Sequence, residues 1–150
     1  MSRIERVTVY CSSSTYLDPA YVEATRDLAT ALAYSGRTHV YGGGKLGLMG
    51  ALSHAWRKAG GRVEGIIAER LREAEQMDTE NDEIVVVDSM RQRKAIMEER
   101  GDAFVILPGG LGTLEEFTEI LVGRLVGEHD KPIVVVNTPE PGADPDDDAR

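Results

Sequence analysis

Two glycine-rich turns, Gly42-Gly43-Gly44-Lys45-Leu46-Gly47-Leu48-Met49-Gly50 and Pro108-Gly109-Gly110-Leu111-Gly112-Thr113-Leu114-Glu115-Glu116, each follow an apolar run and open a segment with helical periodicity. Glycine permits positive φ and lets a ligand approach the backbone, and the helix start that follows offers unpaired N–H groups with a partial positive charge. One such turn is weak evidence for an anion site. Two of them in a short chain point to a phosphate-binding edge.

The same alternation runs through the rest of the chain. Apolar runs at 7–11, 38–41, 63–68, 84–87, 103–107 and 132–137 predict strands. Pro19 and Gly36 bracket a first helix carrying Tyr21, Leu28, Ala31 and Leu32, and further helices are predicted over 48–59, 90–100 and 113–126. The strands are predominantly apolar, with no polar alternation, which is the pattern of a parallel sheet covered on both faces. The expected fold class is therefore α/β, a Rossmann-like three-layer domain with a mainly parallel sheet over residues 1–138. Ligands of such sheets bind outside the carboxyl ends of the strands, where both glycine turns fall. Residues 139–150, rich in Pro, Gly, Asp and Ala, read as an acidic, disordered tail.

At 150 residues the chain suits one core. Its net charge of −9 is concentrated: residues 69–83 contribute −5 and residues 140–150 contribute −4, leaving the remainder neutral. A neutral body with acidic loops gives no basic footprint for DNA or RNA, so nucleic-acid binding is excluded, while one nucleotide needs only a few placed donors. A single cysteine, Cys11, forms no internal disulfide or cysteine zinc cluster. The N-terminus lacks the apolar stretch of a signal peptide, and no run is long enough to span a membrane. The expectation is a soluble cytoplasmic protein with no membrane partner.

Several residues admit two readings. Gly42, Gly44 and Gly47 satisfy a dinucleotide-type G-x-G-x-x-G pattern, but the first strand, where that fingerprint normally sits, ends in Cys11-Ser12-Ser13-Ser14, which favours a mononucleotide site. Thr113 and Glu116 have the spacing of a capping box, which would make Glu116 architectural; capping, however, needs none of Gly109, Gly110 or Gly112. On a helical wheel Arg93 lies between Ile96 and Met97, so its stem is rooted in the apolar stripe of a helix that starts at the ligand edge. Snorkelling or surface ion pairing is the alternative for it. Lys94 and Arg91 read as solvated charge, Glu75 by composition as surface, and His39, His54 and His129 as structural, with no metal-ligand spacing. Apolar positions of the 113–126 helix spread over roughly 240° of the wheel, well beyond the stripe an ordinary surface helix buries. Such a helix has a second face to hide, and a homodimer is the expected solution.

The motifs Tyr41-Gly42-Gly43-Gly44 with Gly47-Leu48-Met49-Gly50, Asp88-Ser89-Met90 with Arg93-Lys94, and Pro108-Gly109-Gly110 with Gly112-Thr113-Leu114-Glu115-Glu116 closely resemble the LOG family, the cytokinin riboside 5'-monophosphate phosphoribohydrolases, long mislabelled as lysine decarboxylases. The resemblance runs from about residue 7 to residue 137. It implies hydrolysis of the N-glycosidic bond of a cytokinin riboside 5'-monophosphate or AMP, giving free base and ribose 5-phosphate, with no cofactor. A non-catalytic nucleotide-binding module of the same fold is the alternative. By matching positions the resemblance implies Arg93 and Glu116 as the catalytic pair. It implies Gly109, Gly110, Gly112 and Thr113 as the phosphate cradle, with Glu75, Lys94, Glu115, Gly43 and Gly44 as further substrate-binding positions. The chain departs from the family pattern at Ser12, usually Gly, at Arg91-Gln92, usually a His-Glu pair, and near Val122-Gly123, usually Thr-Trp. Family members also continue past the last strand into a Gly-Tyr-Tyr-type loop and a closing helix, so the packing expected around that strand differs.

Overall fold

A computed structural model of the chain describes residues 3–138. The tail reading for 139–150 lies outside the described residues. Six strands, β1 (Arg6–Tyr10), β2 (Thr38–Tyr41), β3 (Val63–Ala68), β4 (Glu83–Val87), β5 (Ala103–Ile106) and β6 (Ile133–Val135), alternate with four helices, α1 (Pro19–Tyr34), α2 (Gly47–Lys58), α3 (Met90–Arg100) and α4 (Leu111–Leu125). All pairings are parallel and the strand order is β4-β3-β2-β1-β5-β6. The chain winds outward from β1 to β4, then returns to the other side of β1. The order reverses between β1 and β5, and that switch point is where open α/β sheets hold ligands.

Successive strand residues serve opposite faces, which builds two cores. Val7, Val9, Tyr41, Val105 and Leu107 pack with α1 and α2 around Leu48, Leu52 and Trp56. Tyr10, Val40, Ile66, Phe104 and Ile106 pack with α3 and α4 through Met97 and Ile120. The expected three-layer architecture is thus present, with both sheet faces covered. Asp18 caps α1 by accepting from the Ala20 N–H at 2.8 Å, Pro19 occupies its first turn, and Gly36 leaves it at φ 81°. The last strand is shorter than the expected 132–137. It pairs only with β5, and the ladder ends where β5 ends.

Below the site edge, charged side chains tie the layers together. Glu64 is 0% exposed, yet accepts from Arg6 at 3.3 Å, Arg62 at 3.3 Å and Arg100 at 3.0 Å, so β1, β3 and α3 share one buried carboxylate. His39 is a different case. Its ring is stacked between Tyr41, at a centroid distance of 4.6 Å, and Trp56, at 4.7 Å, and neither ring nitrogen finds a hydrogen-bond partner among the described residues. Burial drives its pKa down to about 3.

That depression makes acid a destabilising agent. In the unfolded chain His39 takes up a proton near its ordinary value of 6.5, whereas in the fold it resists protonation until about 3, so stability falls as pH drops through that window. Urea unfolding near pH 7 and near pH 5 is expected to cost the wild type about 2 kcal/mol more than a His39→Phe variant over the same interval. Equal losses in the two proteins would show that His39 is not the titrating group.

Candidate active site

The second glycine turn ends in a helix that has no cap. Gly110 is the N-cap residue of α4, has no side chain to accept from the first turn, and sits in extended backbone. The Leu114 N–H is bound by the Gly110 carbonyl at 3.0 Å, so the N–H groups of Leu111, Gly112 and Thr113 lie ahead of the intrahelical ladder. These three residues and Gly110 line a cavity of about 560 Å³ at the β1/β5 switch point, in the size range of small-ligand sites. A Cβ placed at Gly110 or Gly112 would meet nothing within 4 Å, so both backbones face open space. The capping-box geometry is not formed. The helix begins two residues earlier than its sequence pattern suggests, and Thr113 lies inside the first turn, 7% exposed, with its side chain packed where Gly109 lacks one.

Opposite α4, the start of α3 is capped by side chains. Ser89 accepts from the Gln92 N–H at 3.2 Å and the Gln92 side chain accepts from the Asp88 N–H at 3.0 Å. Residue 92 therefore has a local structural role. One residue later, Arg93 points inward and is 5% exposed. Its Nε donates to the Ile66 carbonyl at 2.9 Å and its Nη2 to the Gly42 carbonyl and to Glu75 Oε2, the latter at 2.6 Å. Gly42 is required here, since a Cβ at that position would collide with the guanidinium. Composition suggested Glu75 as a surface acid. Instead its carboxylate is 18% exposed, borders the cavity and neutralises Arg93.

Glu116 lies one helical turn beyond the α4 N-terminus and faces the same cavity. It is half-buried and, among the described residues, makes no ion pair or side-chain hydrogen bond. Burial raises its pKa to about 7; Arg93 and Lys94 pull the other way, while Glu75 and Glu115 add to the rise. Lys94 is bound by Glu115 and, at 2.6 Å, by Glu119, so it bridges α3 and α4 at the cavity wall. Those two carboxylates raise its pKa.

Gly43 and Gly44 do not line the cavity, contrary to their expected placement. Gly43 adopts φ 79° and packs on β3, and its carbonyl accepts from the Asp78 N–H at 2.8 Å. Gly44 bridges Met77, and a Cβ there would press on the Glu75 backbone at 2.8 Å. Both glycines bring the 75–78 loop to the sheet edge. Gly109 likewise packs beneath Thr113. Among the residues not anticipated, Ser12–Ser14 and Met49 line the cavity, as do Tyr10 and Cys11, whose acidic groups are both pushed up in pKa first by burial and then by Glu116. Arg70 lines it too, exposed and without an ion-pair partner among the described residues. The strand pattern signalled Tyr10 and Cys11 only as core, and nothing in the acidic stretch marked Arg70.

Fold and site together define a Rossmann-like α/β protein with a ligand cavity at the switch point. A family model described as "Possible lysine decarboxylase" matches residues 49–140. The chain is 43% identical over 136 residues to cytokinin riboside 5'-monophosphate phosphoribohydrolase LOG5 of Arabidopsis thaliana, covering 91% of this chain and 60% of that protein. It is also 43% identical over 132 residues to the cytokinin riboside 5'-monophosphate phosphoribohydrolase of Mycobacterium tuberculosis, covering 87% of this chain and 70% of that one. The chain belongs to this LOG family. It spans 60% to 70% of the length of these two relatives. Solved structures of the same fold include a molybdenum cofactor binding protein from Rippkaea orientalis, with a TM-score of 0.72 at 22% identity, covering 90% of this chain and 77% of that one. The molybdenum cofactor carrier protein of Chlamydomonas reinhardtii matches with a TM-score of 0.73 at 20% identity, covering 89% and 76%.

The ion pairs of the site differ sharply in their expected weight. Removing the Glu75 carboxylate leaves a buried guanidinium uncompensated, so Glu75→Ala is expected to destabilise the fold by about 3 kcal/mol. Glu115→Ala removes a partner that is 65% exposed and is expected to cost under about 1 kcal/mol. Chemical denaturation of the two variants side by side checks the ordering.

Proposed function

We propose that this protein hydrolyses the N-glycosidic bond of an adenosine-type 5'-monophosphate, AMP or an N6-modified cytokinin riboside monophosphate, releasing free base and ribose 5-phosphate. The observation that carries the proposal is the placement of a half-buried Glu116, unpartnered among the described residues, one turn from an uncapped glycine helix start in the cavity that Arg93 also lines. The three N–H groups at the α4 start and the helix dipole bind the phosphate, with Gly110, Gly112 and Thr113 as the cradle. Anchoring there uses remote binding energy to hold the reacting bond in place.

As the C1'–N bond breaks, its electron pair leaves with the base, which takes up a proton, and positive charge develops on the ribose. An ionised Glu116 stabilises that charge and accepts a proton from the water that adds at C1'. Arg93 orients the substrate beside it. Lys94, Glu75 and Glu115 complete the wall that meets the substrate. Decarboxylation through a Schiff base calls for an uncharged amine, whereas Lys94, the lysine of the cavity wall, is held as an ammonium by two carboxylates.

Release of ribose 5-phosphate from AMP and from isopentenyl-AMP tests the reading. Arg93→Ala and Glu116→Ala are each expected to lower kcat by at least about a hundredfold. Nucleotide binding without turnover in the wild type would instead favour a non-catalytic binding module. Because the mechanism needs the Glu116 carboxylate, kcat/KM is expected to rise with pH through about 7. A bound phosphate dianion raises the same ionisation further, so the limb in kcat should lie at higher pH than the limb in kcat/KM. A kcat/KM that falls through this range would assign Glu116 as an acid.

A homodimer is part of the proposal. On α4, Leu111, Leu114, Leu121, Val122 and Leu125 are exposed, as is Val126 at its C-cap, and Val134 and Val135 of β6 lie exposed as well. The α4 residues make an apolar surface of the kind that marks an interface, and Val135, on the sheet face that α4 covers, adds to the exposed apolar area on that side. Substituting Leu121→Glu with Leu125→Glu is expected to convert a dimer to a monomer in light scattering. A wild-type chain that is monomeric at high concentration removes this part of the proposal. A cytoplasmic setting is also part of the proposal, in keeping with a chain whose single cysteine forms no internal disulfide. Among the described residues no helix is long and apolar enough to cross a membrane.

A further inference from the structure

The loop that carries Glu75 is fixed at both ends, and the group that fixes it lies on the opposite face of the sheet from α3. Asp78 is 2% exposed. Its carboxylate accepts from Arg57 Nη2 of α2 at 3.0 Å and from Ser53 Oγ at 3.4 Å, and its own N–H donates to the Gly43 carbonyl at 2.8 Å. Arg57 Nη1 also donates to Asn81 Oδ1 at 2.6 Å, and the Asn81 amide donates to the buried Tyr41 hydroxyl at 3.0 Å. Three residues before Asp78 the Lys45 N–H donates to the carbonyls of Glu75 and Gln76, both at 3.0 Å. Between these anchors the chain makes a tight turn through Gln76, the one non-glycine residue with positive φ among the described residues, at 52°.

A β-unbranched glutamine held in the left-handed region persists where its surroundings over-determine the backbone. Here the over-determining contacts are the Lys45 donor on one side and the Asp78 anchor on the other. The product of that turn is the direction of the Glu75 side chain, which reaches Arg93 with both carboxylate oxygens, at 2.6 and 3.4 Å. Arg93 in turn gives its remaining donors to the Gly42 carbonyl just past β2, to the Ile66 carbonyl of β3 and, from Nη1 at 3.8 Å, to the Met90 sulfur. We propose that the Arg57–Asp78 pair is a positioning device for the catalytic centre: it sets the 75–78 loop so that Glu75 holds the Arg93 guanidinium in register with Glu116. Asp78 and Arg57 do not line the cavity and act only through Glu75.

This inference rests on the proposed hydrolase reading, and its test separates the two. Loss of the Asp78 anchor lets Glu75 swing away from the cavity. Glu116 then faces an Arg93 whose charge is less compensated, alongside Lys94 and Glu115 and against Tyr10 and Cys11 of the β1 end. The Asp78→Asn variant is expected to lose about tenfold in kcat with KM for AMP changed less than threefold, and the ionisation limb of its pH profile is expected to move to lower pH. In a Glu75→Gln background the same substitution is expected to have little further effect, because both changes remove one coupling. Arg57→Lys, which keeps the charge at the anchor, is expected to recover most of the rate relative to Arg57→Gln. Additive losses from Asp78→Asn and Glu75→Gln, or an unshifted pH limb, would overturn the inference and leave the hydrolase reading standing. A readout independent of turnover covers the converse. The buried Arg93 Nε–H, held by the Ile66 carbonyl at 2.9 Å, is expected to give a protected ¹⁵N resonance that shifts or broadens in Asp78→Asn and Arg57→Gln. An unchanged resonance in both folded variants overturns the positioning role even if the wild type proves to hydrolyse nothing.

Discussion

Arg93 carries a permanent charge into a wall made of Met90, Met97 and the ends of two strands, and such a burial is tolerable only when every donor is answered. Its Nε and Nη groups are taken by the Ile66 carbonyl, the Gly42 carbonyl, both Glu75 carboxylate oxygens and the Met90 sulfur, so the guanidinium ties β2, β3, α3 and the 75–78 loop into one unit. The sequence features around it follow from this demand. Residue 42 has no side chain because the guanidinium occupies that space. Residues 43 and 44 bring the loop near enough for Glu75 to neutralise the charge. Ser89 and Gln92 pin the first turn of α3 so that the Arg93 stem enters at a fixed angle.

With Arg93 compensated, Glu116 is left as the acidic group whose state a ligand can change. Lys94 is bridged by two carboxylates, and the Tyr10 and Cys11 side chains are held neutral by burial. Desolvation is the largest influence moving Glu116 toward neutrality; Glu75 and Glu115 add to it, while Arg93 and Lys94 oppose it. A carboxyl poised near pH 7 beside a helix N-terminus switches charge readily when a phosphate or a cationic sugar arrives.

Much of this was legible in the sequence because it rests on local rules. The apolar strand runs gave the sheet and its parallel sense, Pro19 and Gly36 gave the bounds of α1, and the wheel position of Arg93 pointed inward as found. The residues that escaped the reading are those whose roles depend on long-range partners. Asp78 and Asn81 sit in a stretch whose composition matches a solvated loop, Glu75 beside them is marked only through the family resemblance, and the fold reveals that Arg57, Lys45 and Arg93 hold this stretch down. Thr113 and Glu116 satisfied the spacing of a capping box, but extended backbone at Gly110 starts the helix earlier and places both side chains at the cavity instead. Gly43 and Gly44 looked like ligand-binding glycines because close approach of a ligand and close approach of another loop demand the same missing Cβ.

Two clusters of acids and arginines occupy this small sheet, and comparing them shows why only one reads as a functional site. At the lower end of the strands Glu64 takes donors from three arginines, and Glu83 answers two of those arginines from β4. Every charge there has a partner within the protein, and the cluster's effect is to clamp β1, β3, β4 and α3. At the carboxyl ends Arg93 and Glu75 are similarly paired, but beside them stand an unpartnered carboxylate, uncapped helix N–H groups and an open cavity. The same fold holds molybdenum cofactor proteins among its solved structures, so architecture by itself selects no chemistry. The chemistry of this chain is carried instead by the unanswered polarity at the switch point: the uncapped N–H groups of α4 and, one turn further along the same helix, a carboxylate held near the pH at which it gains or loses a proton.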